Sequence, residues 1–122
     1  MQYRQLGHTM LRPSVVGFGL WTLSTGWWGD YTDAEAVALL REARDLGITF
    51  FDASDSYGNG RSEEQLGEAF GNDPNVIVAT KGGYDFYTHG EERRGQREIP
   101  QDFSAAHIRR ACDESLRRLR RD

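Results

Sequence analysis

Ile48-Thr49-Phe50-Phe51, stopping at Asp52, and Val76-Ile77-Val78-Ala79-Thr80, stopping at Lys81, are two near-continuous apolar runs separated by a helical pattern. Strands of a parallel sheet are covered on both faces and read in this way, without the alternation of a half-exposed strand. The helix between them starts at Ser62-Glu63-Glu64-Gln65, reaches about Phe70 and stops before Gly71-Asn72. Working outward, Val15-Val16-Gly17-Phe18-Gly19 predicts an earlier buried strand. Leu20 to Tyr31 follows as a long loop holding Trp21, Trp27 and Trp28. Thr32-Asp33-Ala34-Glu35 has the spacing of a capping box, and Val37, Leu40 and Ala43, with Ala36 and Leu39, keep the helical period to Leu46. Gly47 ends that helix.

Residues 82–103 have no sustained apolar period and predict a second long loop, in which Arg93, Arg94 and Arg97 alternate with Glu91, Glu92 and Glu98. Ser104 then caps a helix whose Ile108, Ala111, Cys112, Leu116 and Leu119 form one apolar stripe, leaving its arginines on a solvated face. At the start, Tyr3–Leu6 and Thr9–Arg12 flank Gly7-His8 and predict a hairpin, broken off by Pro13-Ser14. The order is hairpin, then β-α-β-α-β-α, a parallel sheet covered by helices. Two closures compete for it. A doubly wound nucleotide binder needs G-x-G-x-x-G after its first strand, whereas Gly17-Phe18-Gly19 is followed by Leu20-Trp21-Thr22. A barrel gathers its functional residues at the C-terminal ends of several strands, and here those ends carry Gly19, Asp52 and Lys81.

Composition narrows the function. A length of 122 residues is compatible with one domain, and a net charge of −4 argues against nucleic acid or an anionic membrane as partner. The single Cys112 rules out an internal disulfide framework and suits a reducing cytoplasm. No apolar run approaches the ~20 residues of a membrane span, and the first residues lack a signal-peptide core. No His/Cys cluster has metal-ligand spacing. Lys81 is the chain's one lysine beside fourteen arginines. A lone lysine points to a position where a compact ammonium is needed and a guanidinium will not serve.

Asp52 and Lys81 end neighbouring strands, so their charges can pair, and Tyr57 lies five residues beyond Asp52 in the same loop. Gly58-Asn59-Gly60 lets that loop fold back over the rim. A phenol is a poor acid at neutral pH on its own. An ammonium beside it stabilises the phenolate and eases proton transfer to a developing alkoxide, and an aspartate behind the ammonium holds it in place.

Phe51-Asp52-Ala53-Ser54-Asp55-Ser56-Tyr57-Gly58, with Ser62-Glu63-Glu64-Gln65-Leu66-Gly67 behind it, closely resembles the signature of the aldo-keto reductase family. Gly17-Phe18-Gly19-Leu20-Trp21 and Val78-Ala79-Thr80-Lys81 resemble that family at the first and third strands. The resemblance implies an α/β fold, the (β/α)8 TIM barrel, of which this chain supplies the N-terminal hairpin and about the first three βα units. Residues 1–122 then form part of one barrel domain, with 1–14 as the flap closing its bottom and 15–122 as the units. It also implies reduction of an aldehyde or ketone by NADPH, with Tyr57 as general acid and Lys81 and Asp52 as its catalytic partners. Gly19, Leu20, Trp21 and Asp52 are then expected near the nicotinamide, and Trp21, Trp27 and Trp28 as walls of the pocket for a small carbonyl substrate. The family often has threonine or another small residue where Leu20 stands.

The family's fourth catalytic residue is a histidine closing the fourth strand, beyond Arg121-Asp122; His8, His89 and His107 do not stand in for it. A whole barrel takes typically ~250 residues. The expectation is therefore a piece of a longer enzyme, or one polypeptide of a split barrel whose partner is the remainder, inactive in isolation. An alternative on the same scaffold is a non-catalytic subunit that binds nicotinamide nucleotide for a partner protein.

Overall fold

The computed structural model describes residues 1–89 and 99–122. The charged loop residues Glu91, Glu92, Arg93, Arg94, Arg97 and Glu98 lie outside the described residues. Three short parallel strands, β1 (Gly17–Gly19), β2 (Phe50–Asp52) and β3 (Ile77–Ala79), form one sheet in the order β1-β2-β3. Gly17, Phe50 and Ile77 stand in register, then Phe18, Phe51 and Val78, then Gly19, Asp52 and Ala79. The helices are α1 (Trp21–Thr25), α2 (Asp33–Asp45), α3 (Arg61–Phe70), α4 (Phe86–His89) and α5 (Ala105–Leu119). α2 packs on α3 and α3 on α5, so the long helices cover one face of a sheet whose strands run in sequence order. A doubly wound sheet reverses strand order and has helices on both faces. Neither feature occurs among the described residues, and the arrangement is that of the first part of a barrel.

Alternation along the strands sets the two faces. Phe51 is wholly buried and meets Phe70 of α3 at a ring-centroid distance of 4.8 Å, with Leu20, Leu40 and Leu66 filling the space between sheet and helices. A side chain buried to this degree contributes roughly 1.5–3 kcal/mol. Phe50 and Asp52 take the other face, which in a barrel is the interior. Gly17 leaves room for Phe50 there: a Cβ on it would stand 2.8 Å from the ring.

Local signals hold where a side chain closes a backbone bond. The capping box is complete, with Glu35 N–H donating to the Thr32 hydroxyl at 3.3 Å and Thr32 N–H to the Glu35 carboxylate at 2.9 Å. Those bonds to Thr32 keep the Glu35 carboxyl below its ordinary range. Ser104 caps α5 by accepting from His107 N–H at 3.2 Å. The hairpin is present, with Arg4 N–H donating to Pro13 C=O at 3.1 Å and Leu6 N–H to Leu11 C=O at 3.0 Å. The Tyr3 hydroxyl donates to Gly47 C=O at 2.9 Å, and Ser14 and Thr49 exchange two bonds of 2.9 Å. The hairpin thus sits under the N-terminal ends of the strands.

Four expectations change. Val15 and Val16 are about half exposed and precede β1, because Val15 N–H is spent on Gln2 C=O at 2.9 Å in the hairpin ladder. The loop after β1 contains α1, whose first turn closes on the Leu20 carbonyl and which Gly26 ends at a φ of 72°. The loop after β3 is zipped at its ends by Asp85 N–H to Pro100 C=O and Asp102 N–H to Gly83 C=O, both 2.8 Å, and begins with the single turn α4. Finally, the stripe of α5 is only partly covered: Ala111 and Leu119 are buried, whereas Ile108 and Cys112 are exposed. They line a groove of about 350 Å³ with Thr80, Gly82 and Leu116.

What α5 buries instead is polar. Arg118, expected on the solvated face, is 7% exposed and lies against α3. Two glycines of that region make the approach possible. A Cβ on Gly60 would stand 2.8 Å from Arg118 Cδ, and one on Gly67 would run into the Arg118 carbonyl oxygen. Gly67→Ala is accordingly expected to lower stability by about 2 kcal/mol, since the overpacking cost exceeds the ~1 kcal/mol gained in helix propensity. A urea midpoint equal to or above that of the parent would contradict this account of the α3–α5 contact.

Candidate functional site

Both charges expected at the strand ends are brought together. Asp52 is the last residue of β2, and Lys81 follows β3 by two residues. The Lys81 ammonium donates to Asp52 Oδ1 at 2.9 Å, to Asp52 Oδ2 at 2.8 Å and to the Ala53 carbonyl at 2.8 Å. The side chains are 50% and 41% exposed, so the pair adds little to stability. Its worth is geometric, since three acceptors fix one nitrogen.

Tyr57 joins them from the turn after β2. Tyr57 N–H donates to Ser54 C=O at 3.1 Å, and the backbone then takes positive φ at Gly58, Asn59 and Gly60 before entering α3. Gly58 is required for close approach as well as for its φ of 62°, because a Cβ there would stand 2.5 Å from the Ser24 carbonyl oxygen at the end of α1. The turn is pinned from below as well. Arg61 donates to Asp33 at 2.7 Å and to Tyr31 C=O at 2.6 Å, and Ser24 donates to Gln65 at 2.8 Å. Hydrogen bonds from Arg61 and then Gln65 hold the Asp33 carboxyl below its ordinary range. The result places the Tyr57 ring under the ammonium, with Lys81 Nζ 5.0 Å from the ring centroid. A cation over an aromatic face is favourable in itself, and it sets a positive charge beside a phenol.

The remaining expected residues divide. Gly19 is exposed at the end of β1, and a Cβ added to it would meet nothing within 4 Å. That open approach beside Asp52 suits a flat ring. Leu20 does not present its side chain to the rim: it is wholly buried in the core, its N–H is given to Asp52 C=O at 2.9 Å, and its carbonyl receives Leu23 and Ser24. It holds β1 to β2. Trp21 is half-buried at the start of α1, with Trp27 at 5.2 Å and Trp28 at 6.4 Å between ring centroids. Trp21 opens the helix that packs against the Tyr57 turn, and Trp27 and Trp28, just beyond its Gly26 stop, complete one aromatic cluster with it.

Behind Lys81 lies a buried polar group that no local sequence pattern assigns to the site. Glu63 is wholly buried and receives Arg118 Nε at 2.7 Å and the Thr80 hydroxyl at 2.5 Å. Arg118 also donates to the Tyr87 hydroxyl at 3.2 Å. Burial pushes that hydroxyl above its ordinary range. Asp55 is wholly buried beside them, and desolvation, then the charge of Glu63, raise its carboxyl to about 6. The seven-residue spacing of Gly60 and Gly67, which leaves one side of α3 bare, is the sequence signal that could have marked Arg118's berth.

Among the described residues no three His, Cys, Asp or Glu side chains are grouped to hold a metal ion, and no helix is long and apolar enough to cross a membrane.

Sequential parallel strands, helices on one face and polar chemistry at the C-terminal rim define the N-terminal portion of a (β/α)8 barrel. The chain belongs to the aldo/keto reductase family, whose model matches residues 15–122. It is 40% identical over 126 residues to the L-galactose dehydrogenase of Arabidopsis thaliana, covering all of this chain and 35% of that protein. A probable voltage-gated potassium channel subunit beta of Oryza sativa subsp. japonica is 35% identical over 127 residues, again covering all of this chain and 35% of that protein. Among solved structures, the holo form of the aldo-keto reductase AKR11C1 from Bacillus halodurans superposes with a TM-score of 0.81 at 35% identity, covering all of this chain and 37% of that one. The chain thus spans about a third of the length of the relatives it matches.

Proposed function

We propose that this chain is the N-terminal part of a single barrel domain, with 1–14 as the flap on its floor and 15–122 as the first three βα units. In the whole barrel it reduces an aldehyde or ketone to an alcohol with NADPH in the cytoplasm. The observation that carries this reading is the ammonium of Lys81 held by three acceptors, 5.0 Å from the centre of the Tyr57 ring, at the C-terminal ends of adjacent strands. Gly19, the backbone at Leu20, Trp21 and Asp52 would border the nicotinamide, and Trp21, Trp27 and Trp28 the substrate. When bound, NADPH supplies the hydride that adds to the carbonyl carbon. Tyr57 gives its hydroxyl proton to the carbonyl oxygen, completing the alcohol. The charge of Lys81 stabilises the phenolate left behind, and Asp52 with the Ala53 carbonyl keeps that charge in place.

The full-length protein is expected to consume NADPH in the presence of a simple aromatic aldehyde, with alcohol formed in equal amount. Failure with a panel of aldehydes, ketones and hexoses would overturn the reading. Lys81→Arg is expected to lower kcat by about 10²-fold, because a planar fork cannot satisfy three acceptors arranged around one nitrogen, while nucleotide affinity changes little. A near-normal rate would show that charge alone suffices.

The likeness to a channel β subunit favours a second reading, a nicotinamide-nucleotide-binding subunit serving a partner. The proton donor on a tightly built turn argues for the enzyme, since binding alone needs no such group.

A further inference from the structure

Glu63 holds the buried guanidinium of Arg118 directly behind Lys81, and the buried Asp55 lies close enough to feel the charges of both. Glu63 accepts from the hydroxyl of Thr80, the residue before Lys81, at 2.5 Å. Asp55 donates its N–H to the carbonyl of Lys81 itself at 3.1 Å. Asp55 is also the second residue of the turn that Tyr57 N–H closes on Ser54 C=O at 3.1 Å. One residue thus touches both the strand end that carries the lysine and the turn that carries the tyrosine.

The Asp55 carboxylate has donors on one side only. Oδ1 receives the Ser54 hydroxyl at 3.4 Å, and the Ser56 N–H also bonds to the carboxyl. Oδ2 is buried without a partner and faces the backbone of Gly82, where a Cβ would stand 3.5 Å from it and 3.4 Å from Ala111. The charged groups around it are Glu63 from α3 and Arg118 from α5, and the Tyr87 hydroxyl of α4, which accepts from Arg118 at 3.2 Å, feels the Asp55 charge as well. Glu114 reaches Arg118 from the solvent side at 3.9 Å, and His107 stands edge-on to Tyr87 with its Nδ1 3.9 Å from Asp102. Because the Asp55 partners Ser54 and Ser56 are donors, ionised Asp55 holds the turn more firmly than neutral Asp55 does.

We infer that Asp55 and Glu63, balanced by Arg118, are positioning residues that lock the backbone on both sides of Lys81 to the turn carrying Tyr57, and that the lock closes when Asp55 ionises. The inference rests on the reductase reading above. It adds a source of pH dependence whose titrating group is Asp55, acting on the residues that carry Lys81 and Tyr57.

The test compares wild type, Asp55→Asn and Glu63→Gln in the full-length protein. It uses the pH dependence of kcat with an aromatic aldehyde, and NMR titration of the Asp55 and Lys81 backbone amides. In wild type, kcat is expected to fall roughly tenfold on acidification through a midpoint of about 6, and both amides to shift with that midpoint. Asp55→Asn keeps the shape and cannot titrate, so both the inflection and the Lys81 shift disappear, and kcat at neutral pH falls roughly fivefold with the aldehyde KM unchanged. Glu63→Gln keeps an acceptor for Thr80 but removes the like charge and frees Arg118, which lowers the midpoint. A purely structural role would change melting temperature without moving these midpoints. Superimposable pH profiles for wild type and Asp55→Asn, or turnover with a Lys81 amide blind to Asp55, would overturn the inference. If wild type reduces no carbonyl while the Lys81 amide still follows Asp55, the reductase reading fails and the coupling stands.

Discussion

Tyr57→Phe is expected to reduce aldehyde turnover by the full-length protein about 10²–10⁴-fold, the range spanned by loss of a positioned general acid. The ring is retained, so Lys81 keeps its aromatic neighbour at 5.0 Å and the turn closed on Ser54 keeps its backbone bonds. Nucleotide affinity measured by fluorescence quenching should change less than roughly twofold, since the role proposed for the hydroxyl is proton transfer and not holding the cofactor. The two readouts must separate. A loss of binding equal to the loss of rate would reassign Tyr57 to nucleotide recognition, and undiminished turnover would remove it from the chemistry.

The second large effect is on stability. Arg118→Met keeps an unbranched side chain in the slot left by Gly60 and Gly67 but strips Glu63 of its counter-charge. Glu63 is wholly buried, and a carboxylate there without a cation is costly, so the variant should lose about 3–5 kcal/mol. The double variant Glu63→Gln with Arg118→Met removes the stranded charge as well and should recover much of that loss, with a glutamine oxygen still able to receive Thr80. Urea unfolding of the parent, both single variants and the double variant gives the coupling between the two positions. A coupling near zero would mean that the 2.7 Å contact between them does not govern the α3–α5 interface.

The rim is largely legible in the sequence because its residues break a pattern. Asp52 and Lys81 interrupt apolar runs at the point where strands stop, and a lone lysine among fourteen arginines stands out in the composition alone. Thr32 with Glu35, and Ser104 ahead of its helix, are legible because a cap is written within four residues. α1 is not, since five residues cannot display a helical period and its start has no side-chain cap. Val15 and Val16 read as core because β-branched pairs usually are. Only the hydrogen bond from Val15 to Gln2 assigns them to the hairpin. The burial of Arg118 is hidden for a different reason. An arginine at the polar edge of an amphipathic helix is normally solvated, and its partner lies 55 residues earlier, beyond any local signal. The acids behind Lys81 read as parts of a motif, with no hint that Glu63 is paired with a cation of α5.

The same ion pair also sets an order of assembly. The chain is made from its N-terminus, so Glu63 and Asp55 exist long before residue 118 does. In a nascent chain that has not yet reached α5, the guanidinium that Glu63 receives does not yet exist. Docking of α5 brings both that charge and the close contact at Gly67. The buried support behind the rim is therefore complete only once α5 is in place, although its acids are synthesised earlier.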